Sequence, residues 1–237
     1  MKKMLLVSCA VASLGWFAGH VQANAIITNS GPGILNASGS NGNVGYDFTV
    51  GSTPLMITAL GLWDGPQWNG DIFVGSVGGG FESEHVIGLW DNSGNLLAKA
   101  VMQIGMGDTL MGEFRYASVL IPTNPGPVIL SAGTTYVLGA AYIEDDPDAL
   151  KINNGGNQAT FDPAVSAGNV RFSSGGFSFP GDNIGPGSFV GPNALFTLVT
   201  NGNGVPEGGT TAALMLVSLT ALLGMQRVVR ASATAKS

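Results

Sequence analysis

Between residues 26 and 200 the apolar runs of this chain are short, and turn-forming residues interrupt them repeatedly. Gly, Pro, Asn, Asp and Ser separate the runs, and no stretch of about 12 residues has the apolar period of an amphipathic helix. Short strands bury their apolar faces by pairing into sheets that pack on a common core. The pattern therefore predicts an all-β fold, an antiparallel β-sandwich of jelly-roll or Ig-like type.

The apolar runs predict nine strands in this body. They cover Val44–Val50, Met56–Trp63, His85–Trp90, Leu96–Ile104, Phe114–Ile121, Val128–Leu130, Thr135–Ile143, Val170–Phe172 and Phe196–Thr200. The third and fourth runs are separated by Asp91-Asn92-Ser93-Gly94, whose residue types favour a tight turn. We therefore expect a β-hairpin between His85 and Ile104.

The body is strongly acidic, although the whole chain of 237 residues has a net charge of only −6. Residues 26–206 contain four of the 9 basic residues and 14 of the 15 acidic residues, which leaves this part with a net charge of −10. A domain of this charge repels nucleic acid and anionic lipid headgroups. Neither is therefore expected as a partner.

Residues 1–25 have the three parts of a secretory signal peptide. Lys2 and Lys3 supply a positive start, an apolar run follows, and the small residues Ala23 and Ala25 suit signal peptidase. The apolar run is shorter than the roughly 20 residues that a membrane-spanning helix prefers. We expect export by the general secretory route and cleavage after Ala25, with cleavage after Ala23 as the alternative.

Residues 210–229 form a second apolar segment, which contains one charged residue, Arg227. As a helix it would be about 30 Å long, close to the thickness of the hydrocarbon layer of a membrane. Arg227 and Arg230 stop the segment and favour a cytoplasmic C-terminus. The sequence thus predicts a linker over 201–209, a transmembrane helix over 210–229 and a basic cytoplasmic tail over 230–237. A packed core helix is the alternative.

The linker ends in a short motif directly before this segment. The motif consists of Val205, Pro206, Glu207, Gly208 and Gly209. Together with the apolar segment and the arginines, it resembles the PEP-CTERM sorting signal of bacterial surface proteins, with Gly208 in place of the second proline. The resemblance implies transient anchoring in the inner membrane, cleavage by an exosortase-like membrane protease, and release to the cell surface or extracellular matrix.

Several stretches of the body resemble an uncharacterised extracellular β-sandwich domain of bacterial surface proteins. They are His85–Asp91, Leu96–Ala98, Phe114–Tyr116, Ala132–Tyr136 and the closing stretch over residues 191–200. The resemblance implies a β-sandwich, and because no activity is established for that domain, it implies no catalytic residues.

The densest charged run follows the strand predicted to end at Ile143. It contains Glu144, Asp145, Asp146 and Asp148. Carboxylate oxygens are hard ligands that suit calcium, and extracellular modules bind this ion at millimolar concentrations. Calcium is therefore the one cofactor hypothesis that the sequence offers, with a solvated acidic loop as the alternative.

Two tryptophans flank a Gly-Pro turn and form a candidate carbohydrate contact. Trp63 ends a predicted strand, and Trp68 lies in the following loop. Indole rings stack on sugar rings when neighbouring polar groups orient the ligand. We expect Trp68 to be the better candidate for contact with exopolysaccharide, because a strand end places Trp63 closer to the core.

Residues suited to catalysis are few once the signal peptide has been removed. His85 is then the one histidine, and the single cysteine, Cys9, is lost. A Ser-His-Asp triad would need His85, but no Gly-x-Ser-x-Gly motif is present. Glu82 and Glu84 would be a glycosidase-like pair, for which two solvated acids are the simpler interpretation.

These observations favour a secreted, noncatalytic surface or extracellular-matrix protein that is associated with exopolysaccharide. The sequence leaves two alternatives open. One is a secreted hydrolase that acts on polysaccharide, and the other is a calcium-dependent adhesion module that uses the acidic run.

Overall fold

The structure is a computed structural model that describes part of the chain. The described residues are 23–29, 41–65, 67–68, 73–74, 77–121, 126–143, 146–148, 159–186 and 191–199. Residues 1–22 of the predicted signal peptide, the predicted sorting motif and the predicted membrane segment lie outside these ranges. Within them, no helix has the length and apolar character that a membrane crossing requires.

The described residues form sixteen strands. These are β1 (Asn24–Ala25), β2 (Ile27–Asn29), β3 (Gly42–Val50), β4 (Leu55–Trp63), β5 (Gln67–Trp68), β6 (Phe73–Val74), β7 (His85–Asp91), β8 (Leu96–Met102), β9 (Thr109–Met111), β10 (Phe114–Ser118), β11 (Val128–Leu130), β12 (Thr135–Tyr142), β13 (Thr160–Phe161), β14 (Val165–Ser174), β15 (Asp182–Pro186) and β16 (Pro192–Leu198).

Twelve of these strands belong to two six-stranded sheets. The first sheet has the order β1–β16–β4–β10–β9, and β11 pairs with the beginning of β4. The second sheet has the order β15–β14–β3–β12–β7–β8. Two small sheets pair β2 with β13 and β5 with β6. All pairings between these strands are antiparallel, which confirms the prediction of an all-β, antiparallel fold.

One apolar core takes side chains from both six-stranded sheets. The second sheet contributes Phe48 of β3, Leu89 of β7 and Leu138 of β12. The first contributes Leu60 of β4 and Phe196 of β16. Each of these side chains is fully buried, and burial of a side chain of this size stabilises the fold by about 1.5–3 kcal/mol.

The predicted hairpin is confirmed, because β7 pairs antiparallel with β8. The Asp91 carboxylate holds the turn by accepting hydrogen bonds from Ser93 N and Asn95 N, each at 2.9 Å, and from the Asn95 side-chain amide at 2.7 Å. Gly94 has a φ of +87°, in the left-handed region that side chains other than glycine's rarely adopt. The turn residues therefore determine where the chain reverses.

Most of the nine predicted strands differ by one or more residues from the strands of the structure, and β8, β14 and β16 show the reasons. β8 ends at Met102 instead of Ile104, because Gln103 N donates to the Asp108 carboxylate and leaves the sheet. β14 covers Val165–Ser174 and β16 begins at Pro192, so both are longer than their apolar runs. Backbone pairing with a neighbouring strand extends them through small and polar residues, which carry no apolar period.

Three glycines form a row across the second sheet, on the face opposite to the core. Gly139 of β12 is paired with Gly45 of β3 on one side and with Gly88 of β7 on the other. At Gly45 the strands approach so closely that a Cβ would lie 1.8 Å from the carbonyl oxygen of Leu138. At Gly88 a Cβ would lie 2.2 Å from the indole of Trp90. The row therefore lets the indole pack directly on the backbone.

Candidate functional site

The candidate site lies where the beginning of β7 meets the end of β12. These two strands are paired, with Ile87 opposite Ala140. His85 begins β7 on the same face as the core residue Ile87, and Tyr142 ends β12. Residues 146–148 follow β12 and cover this end of the core with two carboxylates. The site is thus built from a strand start, a strand end and the segment that follows.

His85 is fully buried, and each of its ring nitrogens faces an acceptor. Nδ1 lies 3.1 Å from the carbonyl oxygen of Ala141, and Nε2 lies 2.9 Å from Oδ2 of Asp148. A carbonyl and a carboxylate only accept hydrogen bonds, so an imidazole that bonds to both donates from both nitrogens. These two contacts therefore favour the doubly protonated, positively charged form of the ring.

The carboxylate of Asp148 is held by the backbone as well as by His85. Its Oδ1 accepts a hydrogen bond from Glu82 N at 2.9 Å, and its Oδ2 accepts one from Ser83 N at 2.7 Å. Only 5% of the residue is exposed. These bonds attach the segment after β12 to the chain just before β7.

Asp146 supplies the second carboxylate of the site. Its Oδ1 lies 3.8 Å from Nε2 of His85 and accepts a hydrogen bond from Asp148 N at 3.0 Å. Its Oδ2 accepts one from Ile143 N at 3.1 Å. The residue is 6% exposed. Two buried carboxylates therefore face one imidazole.

The protonation equilibria of the site follow from this arrangement. Burial by itself would lower the pKa of His85, but the hydrogen bond to Asp148 and the charge of Asp146 outweigh it, and the pKa is raised. Burial would raise the pKa of Asp148, but His85 and the backbone donors Glu82 N and Ser83 N lower it overall. Both shifts favour the charged forms of the pair.

Two aromatic rings enclose the imidazole. Phe81 meets it edge to face at a centroid distance of 5.3 Å, and Tyr142 lies at 5.0 Å. Tyr142 is 4% exposed, and its buried hydroxyl has no hydrogen-bond partner among the described residues. Burial raises the pKa of this phenol well above its usual range, and the charges of Asp146 and Asp148 raise it further. The hydroxyl is thus a buried polar group whose ionisation the two carboxylates oppose.

The four residues of the predicted calcium site divide into two groups. Glu144 and Asp145 lie outside the described residues. Asp146 and Asp148 are buried and face His85, so these two carboxylates, which the sequence suggested as calcium ligands or as part of a solvated acidic loop, belong to a mixed nitrogen and oxygen cluster. Within the described part of the chain, this is the one group of three such side chains whose ligand atoms all lie within 4.8 Å of one another.

The structure also locates the other candidate residues. Trp63 is 1% exposed and belongs to the core, so its indole has no free face for a sugar ring, and the carbohydrate hypothesis is wrong for this residue. Trp68 lies in β5, and its side chain is outside the described part of the structure. Glu82 and Glu84 are both exposed, as expected for solvated acids.

Two further ion pairs with buried carboxylates join neighbouring segments: one joins Asp64, which follows β4, to β10, and the other joins the paired strands β3 and β14. Arg115 of β10 donates from Nε to the Asp64 carboxylate, and Arg171 of β14 donates to the Asp47 carboxylate at 2.7 Å. Burial raises the pKa of Asp64, and the hydrogen bond from Arg115 opposes that shift. The described charged side chains in the interior thus serve to hold neighbouring segments together.

Sequence reasoning did not connect His85 with the acidic run. His85 and Asp148 are 63 positions apart in the sequence. No local spacing pattern links a histidine in a strand to an aspartate in a distant loop. Two observations could have suggested the connection: His85 is the one histidine outside the predicted signal peptide, and the acidic run follows a strand predicted to be in the same core. The pairing of β7 with β12 was the missing information.

Together, the fold and the site define an all-β domain of two antiparallel sheets with a buried cluster of one histidine and two aspartates. No model of a known protein family matches this chain. No curated protein matches it either.

Proposed function

We propose that this chain is a secreted, noncatalytic domain of the cell surface or extracellular matrix, exported by the general secretory route and processed by an exosortase-like protease. The observation that carries the noncatalytic part is the position of His85. The one histidine of the mature chain is fully buried with both ring nitrogens engaged, so it offers no base to a substrate in solvent. The function is therefore one of binding or assembly.

The domain is proposed to be a β-sandwich. The core shared by the two six-stranded sheets supports this architecture, because side chains from both sheets meet in one cluster. A domain of this size can bury enough apolar surface to fold without disulfides. It needs none under this proposal, because Cys9, the single cysteine, is removed with the signal peptide.

The N-terminal strands favour one of the two candidate cleavage sites. Ile26 is fully buried, and its backbone nitrogen donates to the carbonyl oxygen of Ala194 at 2.9 Å. Cleavage after Ala25 would turn that nitrogen into a charged terminal amine in the core, which is costly. Cleavage after Ala23 would leave the exposed Asn24 as the first residue and would keep β1. Processing is therefore proposed to occur after Ala23.

Intact mass measurement of the protein from membrane, surface and medium tests both ends of this proposal. We expect the mature chain to begin at Asn24 and the surface form to lack the segment over 210–229. In cells without the exosortase-like protease, the full tail should remain and the protein should stay in the membrane fraction. A mature N-terminus at Ile26 would contradict the first expectation, and an uncut surface form would contradict the second.

Incubation with the exopolysaccharide of the producing cells separates binding from hydrolysis. We expect retention of the protein on the polysaccharide without any new reducing ends, and Trp68→Ala should weaken retention about 3- to 10-fold, because a stacked aromatic contact is lost. Ile129→Ala is the matched control, since it truncates an exposed apolar side chain elsewhere, in β11. Release of reducing ends would establish the hydrolase alternative, and equal retention of Trp68→Ala would remove Trp68 from the binding surface.

A further inference from the structure

We propose that His85, Asp146 and Asp148 bind one divalent transition-metal ion, with zinc as the ion that best suits the donors, and that this ion fixes the segment after β12 onto the sheet. The proposal does not depend on the proposed function. It concerns a buried structural site and holds whether or not the domain binds polysaccharide.

The three donor atoms lie within 4.8 Å of one another, near the spacing of zinc ligands. Nε2 of His85 lies 2.9 Å from Oδ2 of Asp148 and 3.8 Å from Oδ1 of Asp146. Zinc bonds of about 2.0–2.1 Å in a tetrahedral arrangement place the ligand atoms about 3.3 Å apart. Small movements of the three side chains would therefore bring all of the donors to bonding distance of one ion.

The groups behind the donors already orient them. Nδ1 of His85 faces the carbonyl oxygen of Ala141, so the proton of a metal-bound imidazole lies on Nδ1 and the lone pair of Nε2 points to the carboxylates. Backbone N–H groups of Ser83 and Ile143 hold the carboxylates of Asp148 and Asp146. Such outer contacts are the ones that metal-binding histidines and carboxylates make in proteins.

The negative charge of the two carboxylates exceeds the positive charge that one protonated imidazole supplies. Two buried carboxylates face a single imidazole, and a charged imidazole neutralises only one of them. Asp64 lies close enough to Asp148 for their charges to interact, but its own partner is Arg115. A divalent ion on a neutral His85 balances both Asp146 and Asp148, and binding of the ion displaces the Nε2 proton. A buried charge that is left unbalanced is strongly unfavourable.

The hydroxyl of Tyr142 is an independent indication of a missing ligand. Its ring lies 5.0 Å from the imidazole of His85, and the buried hydroxyl has no hydrogen-bond partner among the described residues. Buried hydroxyls are almost always hydrogen-bonded, because desolvation without a partner is costly. A water molecule in the fourth position of the ion would supply that partner. The orphaned hydroxyl and the three donors thus point to the same ligand.

The donor set decides between metals. Calcium prefers six to eight oxygen ligands and seldom takes a histidine nitrogen. One imidazole with two carboxylates and an open position is a combination that zinc accepts, and imidazole favours zinc over calcium and magnesium. The buried site therefore differs from the calcium site that the acidic run alone suggested.

The test uses the exported protein, produced from the full chain without a polyhistidine tag. A chelator removes bound metal, and Zn²⁺ alone is then titrated in by calorimetry. We expect about one Zn²⁺ per chain and a Tm that rises by about 5–10 °C at saturating zinc. Ca²⁺ and Mg²⁺ at the same concentrations are expected to leave the Tm unchanged.

Asp146→Asn is the decisive variant, because it leaves the hydrogen bond between His85 and Asp148 in place. We expect it to weaken zinc binding by about 100-fold or more and to abolish the visible absorption of tetrahedrally bound Co²⁺. Asp47→Asn is the matched control, since Asp47 is also a buried carboxylate paired with a cation, Arg171. That control should bind zinc within about twofold of the parent chain.

Three outcomes would overturn the proposal. They are the absence of any zinc-dependent change in Tm at about tenfold molar excess, zinc binding that Asp146→Asn retains, and a calcium response as large as the zinc response. None of them bears on export or on polysaccharide retention, so failure of this site and failure of the proposed function are distinguishable.

Discussion

Replacement of Arg115 by methionine is expected to lower the free energy of unfolding by about 3–5 kcal/mol, the range found when one partner of a buried ion pair is removed. The guanidinium bonds to the Asp64 carboxylate and to three carbonyl oxygens: Gly78 at 2.7 Å, Asp108 at 2.9 Å and Met106 at 3.1 Å. Methionine fills a similar volume but leaves these four acceptors without their donor. Urea unfolding of the parent and the variant measures the difference.

A double variant separates the charge from the packing. Arg115→Met combined with Asp64→Asn removes both charges, and the remaining amide oxygen still accepts from Gly80 N, which donates to Asp64 in the parent. We expect the double variant to be at least about 1 kcal/mol more stable than Arg115→Met alone, because no buried charge is left unpaired. If the double variant loses as much stability relative to the parent as the two single variants together, the unpaired charge of Asp64 is not what destabilises Arg115→Met.

The decrease in the free energy of unfolding caused by Arg115→Met should depend on pH. Burial raises the pKa of Asp64, and in the parent the hydrogen bond from Arg115 lowers it again in part. Without Arg115 the folded pKa rises further above the unfolded value of about 3.9. A carboxyl group whose pKa is higher in the folded state than in the unfolded state stabilises the fold at pH values below its unfolded-state pKa. This stabilisation is lost as the pH rises through the folded-state pKa. The variant should therefore be closest to the parent in acid and furthest from it at neutral pH.

Gly45→Ala is expected to have the second large effect, a loss of about 4 kcal/mol or more. Its Cβ would lie 1.8 Å from the carbonyl oxygen of Leu138 and 2.6 Å from Cα of Gly139, and both of these are backbone atoms of the paired strand β12. Relief of this overlap requires β3 and β12 to separate, which breaks hydrogen bonds in the middle of the sheet. Chemical denaturation and circular dichroism measure the result.

Two other glycines make this prediction testable even if Gly45→Ala does not fold. At Gly139 a Cβ would come within 2.9 Å of the Pro180 side chain, so Gly139→Ala should cost less, about 1–3 kcal/mol. At Gly107 a Cβ would meet nothing within 4 Å, so Gly107→Ala should change stability by no more than about 0.5 kcal/mol. Equal effects at all three positions would show that close strand approach is not the cause.

Much of the fold could be predicted, because it depends on local pattern. The hairpin from β7 to β8 was predicted with its turn, since Asp91 and Gly94 determine the reversal through bonds within a few residues. Strands without an apolar run were not predicted. β15, for example, pairs with β14 through its backbone, and its one large apolar residue, Ile184, is exposed. Pairing of that kind leaves no trace in the residue types of the strand.

The candidate site could be predicted only in pieces. The acidic run was recognised as a metal-binding candidate, and His85 was recognised as the one histidine outside the predicted signal peptide. Their combination depends on the pairing of β7 with β12 and on the inward direction of the two aspartates. The direction of a loop side chain is set by hydrogen bonds to distant backbone groups, such as those of Glu82 and Ser83, and the sequence around Asp148 does not contain them.

The sequence by itself determined the all-β class, the acidic body and the tight turn at Asp91, because apolar periodicity, charge and turn chemistry are properties of neighbouring residues. It also predicts an export signal at the N-terminal end and a sorting signal at the C-terminal end. Only the tertiary structure decided that Gly45 must remain glycine and that His85 faces Asp146 and Asp148. These facts depend on which strands become neighbours, and strand pairing over long separations is settled by packing of the whole core.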